Sequence, residues 1–140
     1  MRNIAYGRVE GVAVMVAGRL NPSDAEWDGY IDFLEAMGTP GPFARTLAVT
    51  AGGAPSSAQR VRLVARIGEQ RRGSKVALVT RSTFARGVLN AWSLVRPGYR
   101  AFAPEDLDEA IRFLDIPLAR EGDVKSLLQR LRAELAVAAA

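Results

Sequence analysis

The chain has 140 residues, about one ordinary domain, and its 49% hydrophobic content is enough for a core without covalent staples. It contains no Cys and no His. That excludes disulfides, thiolate nucleophiles and zinc–thiolate sites, and removes the commonest general base and metal ligand, so neither a metal nor another cofactor is expected. The net charge is +4, but residues 44–102 hold eleven Arg/Lys against the single acid Glu69, a local +10, while residues 1–43 and 103–140 each carry −3.

Short β-rich runs at 3–9 and 12–19, joined by Glu10-Gly11, predict a hairpin. Ser23 and Glu26 form a capping box, opening a helix whose Trp27, Tyr30, Ile31 and Leu34 make one apolar stripe. Asp24, Asp28 and Asp32 form a second, acidic row, and Gly38 ends the helix. Residues 43–50 read as a strand for a sheet interior. Gly52-Gly53 then lead into a helix over about 56–70, with Val61, Val64 and Ile67 expected to point inward and Arg62, Arg66 and Glu69 outward. Residues 74–80 are a second buried strand. Ser82 caps the next helix, whose core side is expected to be Phe84, Val88, Leu89, Trp92 and Val95. A short strand over 98–103 precedes a helix opened by Pro104, striped by Leu107, Ile111 and Leu114 and stopped by Pro117. A last helix, about 123–137, carries Val124, Leu127, Leu128, Leu131 and Leu135, a stripe to be buried on its own domain or on a second copy.

The order β-β-α-β-α-β-α-β-α-α calls for a single α/β domain built on a five-stranded mixed sheet covered by helices. The segments KVALVTRSTFARGVLNAW (75–92) and YRAFAPEDLDEAIRFL (99–114), with two serines at the mouth of the second helix, resemble the SpoIIAA-like (STAS/SEC14-type) family of small bacterial proteins. The resemblance spans roughly residues 1–116 and implies a STAS-like domain there, with 117–140 an additional C-terminal helix of the same domain. In anti-anti-sigma factors of that fold, an Asp-Ser-Ser-Gly segment at the second helix carries the serine that a partner kinase phosphorylates. The matching stretch is Ala54-Pro55-Ser56-Ser57-Ala58, with Ser57 nearest the modified position; the preceding Asp and following Gly are absent.

Other chemistries fare worse. GEQRRGSK (68–75) approaches a phosphate-loop motif, but its last two residues are in the wrong order and it follows a helix where such a loop follows a strand. The central strands end in Thr50 and Thr80, so no Asp stands where a response regulator needs one. An enzyme is not expected: the acidic row is on an outer helix face, and nothing activates a nucleophile. Nucleic-acid binding is not expected either, because no reading motif is present and Trp27, Tyr30, Phe84 and Trp92 fall on core stripes. No stretch reaches the ~20 apolar residues of a membrane span, so a cytoplasmic protein is expected. The favoured reading is a regulatory or protein-interaction module. It would meet an acidic partner through Ser56, Ser57, Arg60, Arg62 and Arg66, with Arg81 and Arg86 from the next helix, and a homodimer is compatible with it. The alternative is a binder of an anionic metabolite, nucleotide or lipid headgroup, held by the amides of Gly52 and Gly53 and the same arginines. A third reading of the charge pattern is that the basic segment and its acidic flanks neutralise each other across the fold.

Overall fold

The structure is a computed structural model that describes residues 2–139, with side chains to residue 136. The hairpin forms as β1 (Ile4–Val9) and β2 (Val12–Ala17), and Glu10 takes a left-handed φ of 51° at its turn. β2 is followed by α1 (Asp24–Met37), β3 (Arg45–Thr50), α2 (Ser57–Ile67), β4 (Lys75–Thr80), α3 (Thr83–Trp92), β5 (Tyr99–Phe102), α4 (Leu107–Phe113) and α5 (Leu118–Ala139). The strands lie in the order β1-β2-β3-β4-β5, antiparallel in the first pair and parallel in the other three, so the expected mixed sheet is the one found. β3 and β4 are interior strands, as their apolar runs require.

Each parallel crossover advances one strand in the same direction. Right-handed connections therefore put α1, α2 and α3 on one side of the sheet. Beneath α1 and α2, a core of Ile4, Ala13, Met15, Ala48 and Ile67 meets Trp27, Tyr30, Ile31 and Leu34. On the opposite face, Val14, Leu47, Val79 and Phe102 pack against Ile111 and Leu114 of α4 and Val124, Leu127, Leu128 and Leu131 of α5. The last helix therefore buries its stripe on its own sheet, across β1 and β2, with Leu135 half-buried.

Local signals explain the ends of α1. Ser23 Oγ accepts from Glu26 N–H while Glu26 returns to Ser23 N–H, and Gly38 closes the helix at a left-handed φ of 62°. Glu26 also reaches β1, accepting from the backbone N–H of Asn3 (2.6 Å) and Ile4 (3.4 Å) and from the Asn3 side-chain amide. Burial alone would raise its pKa; the Ser23, Asn3 and Ile4 donors outweigh burial and hold it below the usual 4.5. A lowered carboxylate contributes stability that is whole above the unfolded value and is lost as pH falls through the folded one. The urea midpoint is accordingly expected to fall on acidification below 4.5. The fall should be smaller in Glu26→Gln, and equal falls in both proteins would refute this role.

Two helices depart from expectation. In α2, Ile67 is buried, but Val61 and Val64 are 68% and 64% exposed; the inward positions are Gln59, Leu63 and Ile67. In α3 no residue is fully buried: Phe84 is 80% exposed, and Val88 and Trp92 are also exposed, with Leu89 half-buried; Val95, expected on the same stripe, lies beyond the helix end and is exposed too. The reason lies at β5, the sheet edge. Asn90 of α3 donates through Nδ2 to Ala101 C=O and accepts at Oδ1 from Ala101 N–H, covering that strand's unpaired backbone groups. Arg86 donates to Thr80 C=O from the same side of α3. The flank turned to the sheet edge is thus partly polar, and the apolar stripe is rotated off the core.

Candidate functional site

β3 and β4 are parallel, so Thr50 and Thr80 end at the same edge of the sheet and the mouths of α2 and α3 open there together. Ser56 is the N-cap of α2. Its Oγ accepts from Gln59 N–H (3.1 Å), and Gln59 Oε1 accepts from Ser56 N–H (2.9 Å), a second capping box. Ser57 is the first helical residue, and its Oγ accepts from Arg60 Nη2 at 3.1 Å. The two serines therefore have different jobs. Ser56→Ala is expected to cost about 1 kcal/mol and Ser57→Ala a few tenths. Denaturant midpoints that shift equally for the two would contradict this division.

The preceding loop is held by Thr50 and by the connection between β2 and α1. Gly52 N–H donates to Thr50 Oγ1, Gly53 N–H to Gly18 C=O and Ala54 N–H to Asn21 Oδ1, so the three amides that could cradle an anion are already committed. Gly52 sits at a φ of 137°, and a Cβ on Gly53 would overlap the Leu20 carbonyl.

The arginines divide into two sets. Arg62 forms a two-point pair with Asp28 of α1 (Nε–Oδ1 2.5 Å, Nη2–Oδ2 3.0 Å), and Arg66 reaches Asp32 at 2.8 Å and Glu35 at 3.1 Å. The hydrogen bond to Asp32, with Glu35 alongside, raises the Arg66 pKa further. These two, expected to point outward, lie sideways against the acidic row of α1, so the basic and acidic segments do neutralise each other here. Lys75–Asp115, at 2.6 Å, does the same on the α4 side. In contrast, Arg60, Arg81 and Arg86 form no ion pair among the described residues. Arg81 and Arg86 border an open depression of about 540 Å³ with Pro104 and Glu105.

One group that positions this mouth, Gln59, escaped the sequence reading. Gln59, 5% exposed, donates from Nε2 to Pro22 C=O (3.1 Å) and Asp24 Oδ1 (3.0 Å), and Trp27 Nε1 donates to Gln59 C=O at 2.8 Å. Ser56-x-x-Gln59 is a capping-box pattern and so was available as a signal; the bonds to α1 were not. Tyr30 lies inside the same core, and burial pushes its hydroxyl up to about 12 against a weaker opposing pull from Arg71. It stays neutral near pH 7, unsuited to general-base work.

No protein-family model matches the chain, and no curated protein matches it. Among solved structures it is similar to an uncharacterized protein of the DUF3478 family from Shewanella loihica PV-4, described as having a SpoIIAA-like fold. The two share 20% identity over 81% of this chain and 95% of that one, with a TM-score of 0.58. No described helix is long and apolar enough to cross a membrane. With its five-stranded mixed sheet, the helices on both faces and this structural likeness, the chain is a single α/β domain of SpoIIAA-like fold.

Proposed function

We propose that the protein is a non-enzymatic regulatory or interaction module of STAS type, meeting an acidic group on a protein partner through the basic mouth of α2 and α3. The observation that carries this reading is the grouping at one sheet edge of Ser56 and Ser57 with Arg60, Arg81 and Arg86, arginines that form no ion pair among the described residues, beside two helix N-termini. Arg62 and Arg66 serve it indirectly, by holding α2 on α1 through pairs to Asp28, Asp32 and Glu35. A phosphate on Ser57 would replace a neutral hydroxyl already bonded to Arg60 with nearly two negative charges, so the same contact would serve as a charge switch. The absence of His and Cys from the chain supports binding over catalysis.

Capture from the source cell's lysate by the wild type and by Arg60→Glu/Arg81→Glu, at low and physiological salt, tests the reading. The wild type is expected to hold its partner most strongly at low salt, because exposed charges are screened beyond ~8 Å at physiological ionic strength. The double reversal should release that partner, and Ser57→Asp should differ from Ser57→Ala. A partner untouched by salt and by the reversal would place binding elsewhere. A second reading, an anionic small-molecule binder, is favoured by the depression beside Arg81 and Arg86 rather than by Gly52–Gly53, whose amides are committed.

A further inference from the structure

We infer that the space between α2 and α3 is a docking groove for an acidic, amphipathic helix of a partner protein. The inference rests on the module reading above and names the partner's form. Arg62 and Arg66 turn one flank of α2 towards α1. Helical spacing then places Val64, with Arg60 one turn before it, on the opposite flank, and Val61 beside them on the outer side. That is the side of α3, which follows α2 on the same side of the sheet. α2 packs on α1, whereas α3 packs on β5, so the two helices stand apart. The half-buried Val76 and Leu78 of β4 lie between them. On α3, Val88 and Trp92 share a flank one turn apart, with Phe84 on the outer lip; they are 56%, 52% and 80% exposed.

Five large apolar side chains on two neighbouring helices, each more than half exposed, form a patch of the kind that marks an interaction surface. Its charge chooses among occupants. Arg60 and Arg81 stand at the mouth and Arg96 follows the far end of α3, while Arg86 lies on the flank turned to β5. Between residues 44 and 102 the only carboxylate is Glu69, which is taken by Arg72. A second copy docking through the same surface would bring two sets of arginines together, and like charges oppose that contact. A bilayer would be met by a convex apolar tip, whereas these side chains line two walls of a trough about three helical turns long. A helix laid into the trough can place apolar residues at i, i+3/i+4 and i+7 between the walls and carboxylates against the arginines.

The test introduces p-benzoylphenylalanine singly at the exposed Val64 and Val88 of the full chain, irradiates in the source cells and sequences the crosslinked peptides. Both positions are expected to capture one protein segment with net negative charge and a helical apolar repeat. That segment, synthesised, should shift Trp92 emission to the blue in the wild type and leave Trp92→Phe unchanged, because Trp27 is buried. Its affinity should drop about tenfold or more in Val64→Asp/Val88→Asp. Crosslinks to lipid with blue-shifted binding to phosphatidylglycerol vesicles, crosslinks to a second copy of this chain, a neutral or basic segment, or no crosslink at all each overturn the groove. If Arg60→Glu/Arg81→Glu still releases a partner while Val64 and Val88 capture nothing, the groove fails and the basic mouth stands; if the reversal releases nothing, the module reading itself fails.

Discussion

A chain ending at Pro117 is expected to lose cooperative folding altogether. α5 lies across β1 and β2, and its Val124, Leu127, Leu128 and Leu131 are each at most 5% exposed. Truncating one buried Leu to Ala costs about 2–5 kcal/mol, against a whole-domain stability of about 5–15 kcal/mol. Removing four such side chains and uncovering Val14 and Val16 beneath them exceeds that margin. The shortest ion pairs of α5, Arg120–Glu10 at 2.6 Å and Lys125–Asp108 at 2.6 Å, lie at the surface and add little beside this loss. Thermal melts followed by circular dichroism should show no transition for the shortened chain and a lowered but cooperative one for Leu128→Ala. A truncated chain that melts sharply near the full-length temperature would mean that the sheet face finds other cover.

The readings that held and those that failed separate on a physical line. α1 was legible because its cap, its stripe and its terminating glycine are all local, and its stripe meets the interior of a sheet. The five-stranded mixed sheet followed from an initial hairpin and the alternation of buried strands with helices, which calls for parallel neighbours. α3 carries as clear an apolar stripe as α1, yet that stripe is exposed. Periodicity reports that a helix has an apolar face; it does not report whether the fold supplies something to cover it. β5 is four residues long and ends the sheet, so the flank of α3 that meets it has to satisfy backbone groups, which Asn90 does. The arginines of α2 were misplaced for a related reason. Arg62 and Arg66 were read within their own helix, but their partners Asp28, Asp32 and Glu35 come from a helix more than thirty residues away in the chain. The acidic row of α1 and the basic row of α2 were each visible alone; only the packing of the helices matched them. The serines show the intermediate case, since the cap at Ser56 is a local pattern and the Arg60–Ser57 contact is a one-turn neighbour, both within reach of sequence spacing.

Gln59→Ala is expected to cost about 2–4 kcal/mol, far more than an ordinary helix-surface change, because one side chain satisfies three groups. Gln59 accepts from Ser56 N–H and donates to Pro22 C=O and Asp24 Oδ1 while almost wholly buried. Alanine leaves those partners without it, while the bond from Trp27 to the Gln59 backbone carbonyl is kept. The loss falls on the joint that sets the α2 mouth against the start of α1, so partner capture should weaken together with stability. Gln59→Glu separates the donor role from mere volume. A carboxylate of nearly the same size can still accept from Ser56 N–H, but while ionised it cannot donate, and it would face the Pro22 carbonyl and the Asp24 carboxylate. Burial and the like charge both favour its protonated form, so its folded-state pKa should rise above the unfolded value. The sign is then opposite to that of Glu26: stability relative to wild type is best at acid pH and is lost as pH rises through the raised pKa. Urea midpoints of wild type and Gln59→Glu measured from pH 4 to pH 8 should therefore diverge upward in pH, with Gln59→Ala displaced from wild type by a nearly constant amount. A Gln59→Glu protein that tracks the wild type at every pH would show that the two donated bonds do not hold the mouth, and that the capping contact to Ser56 alone positions it.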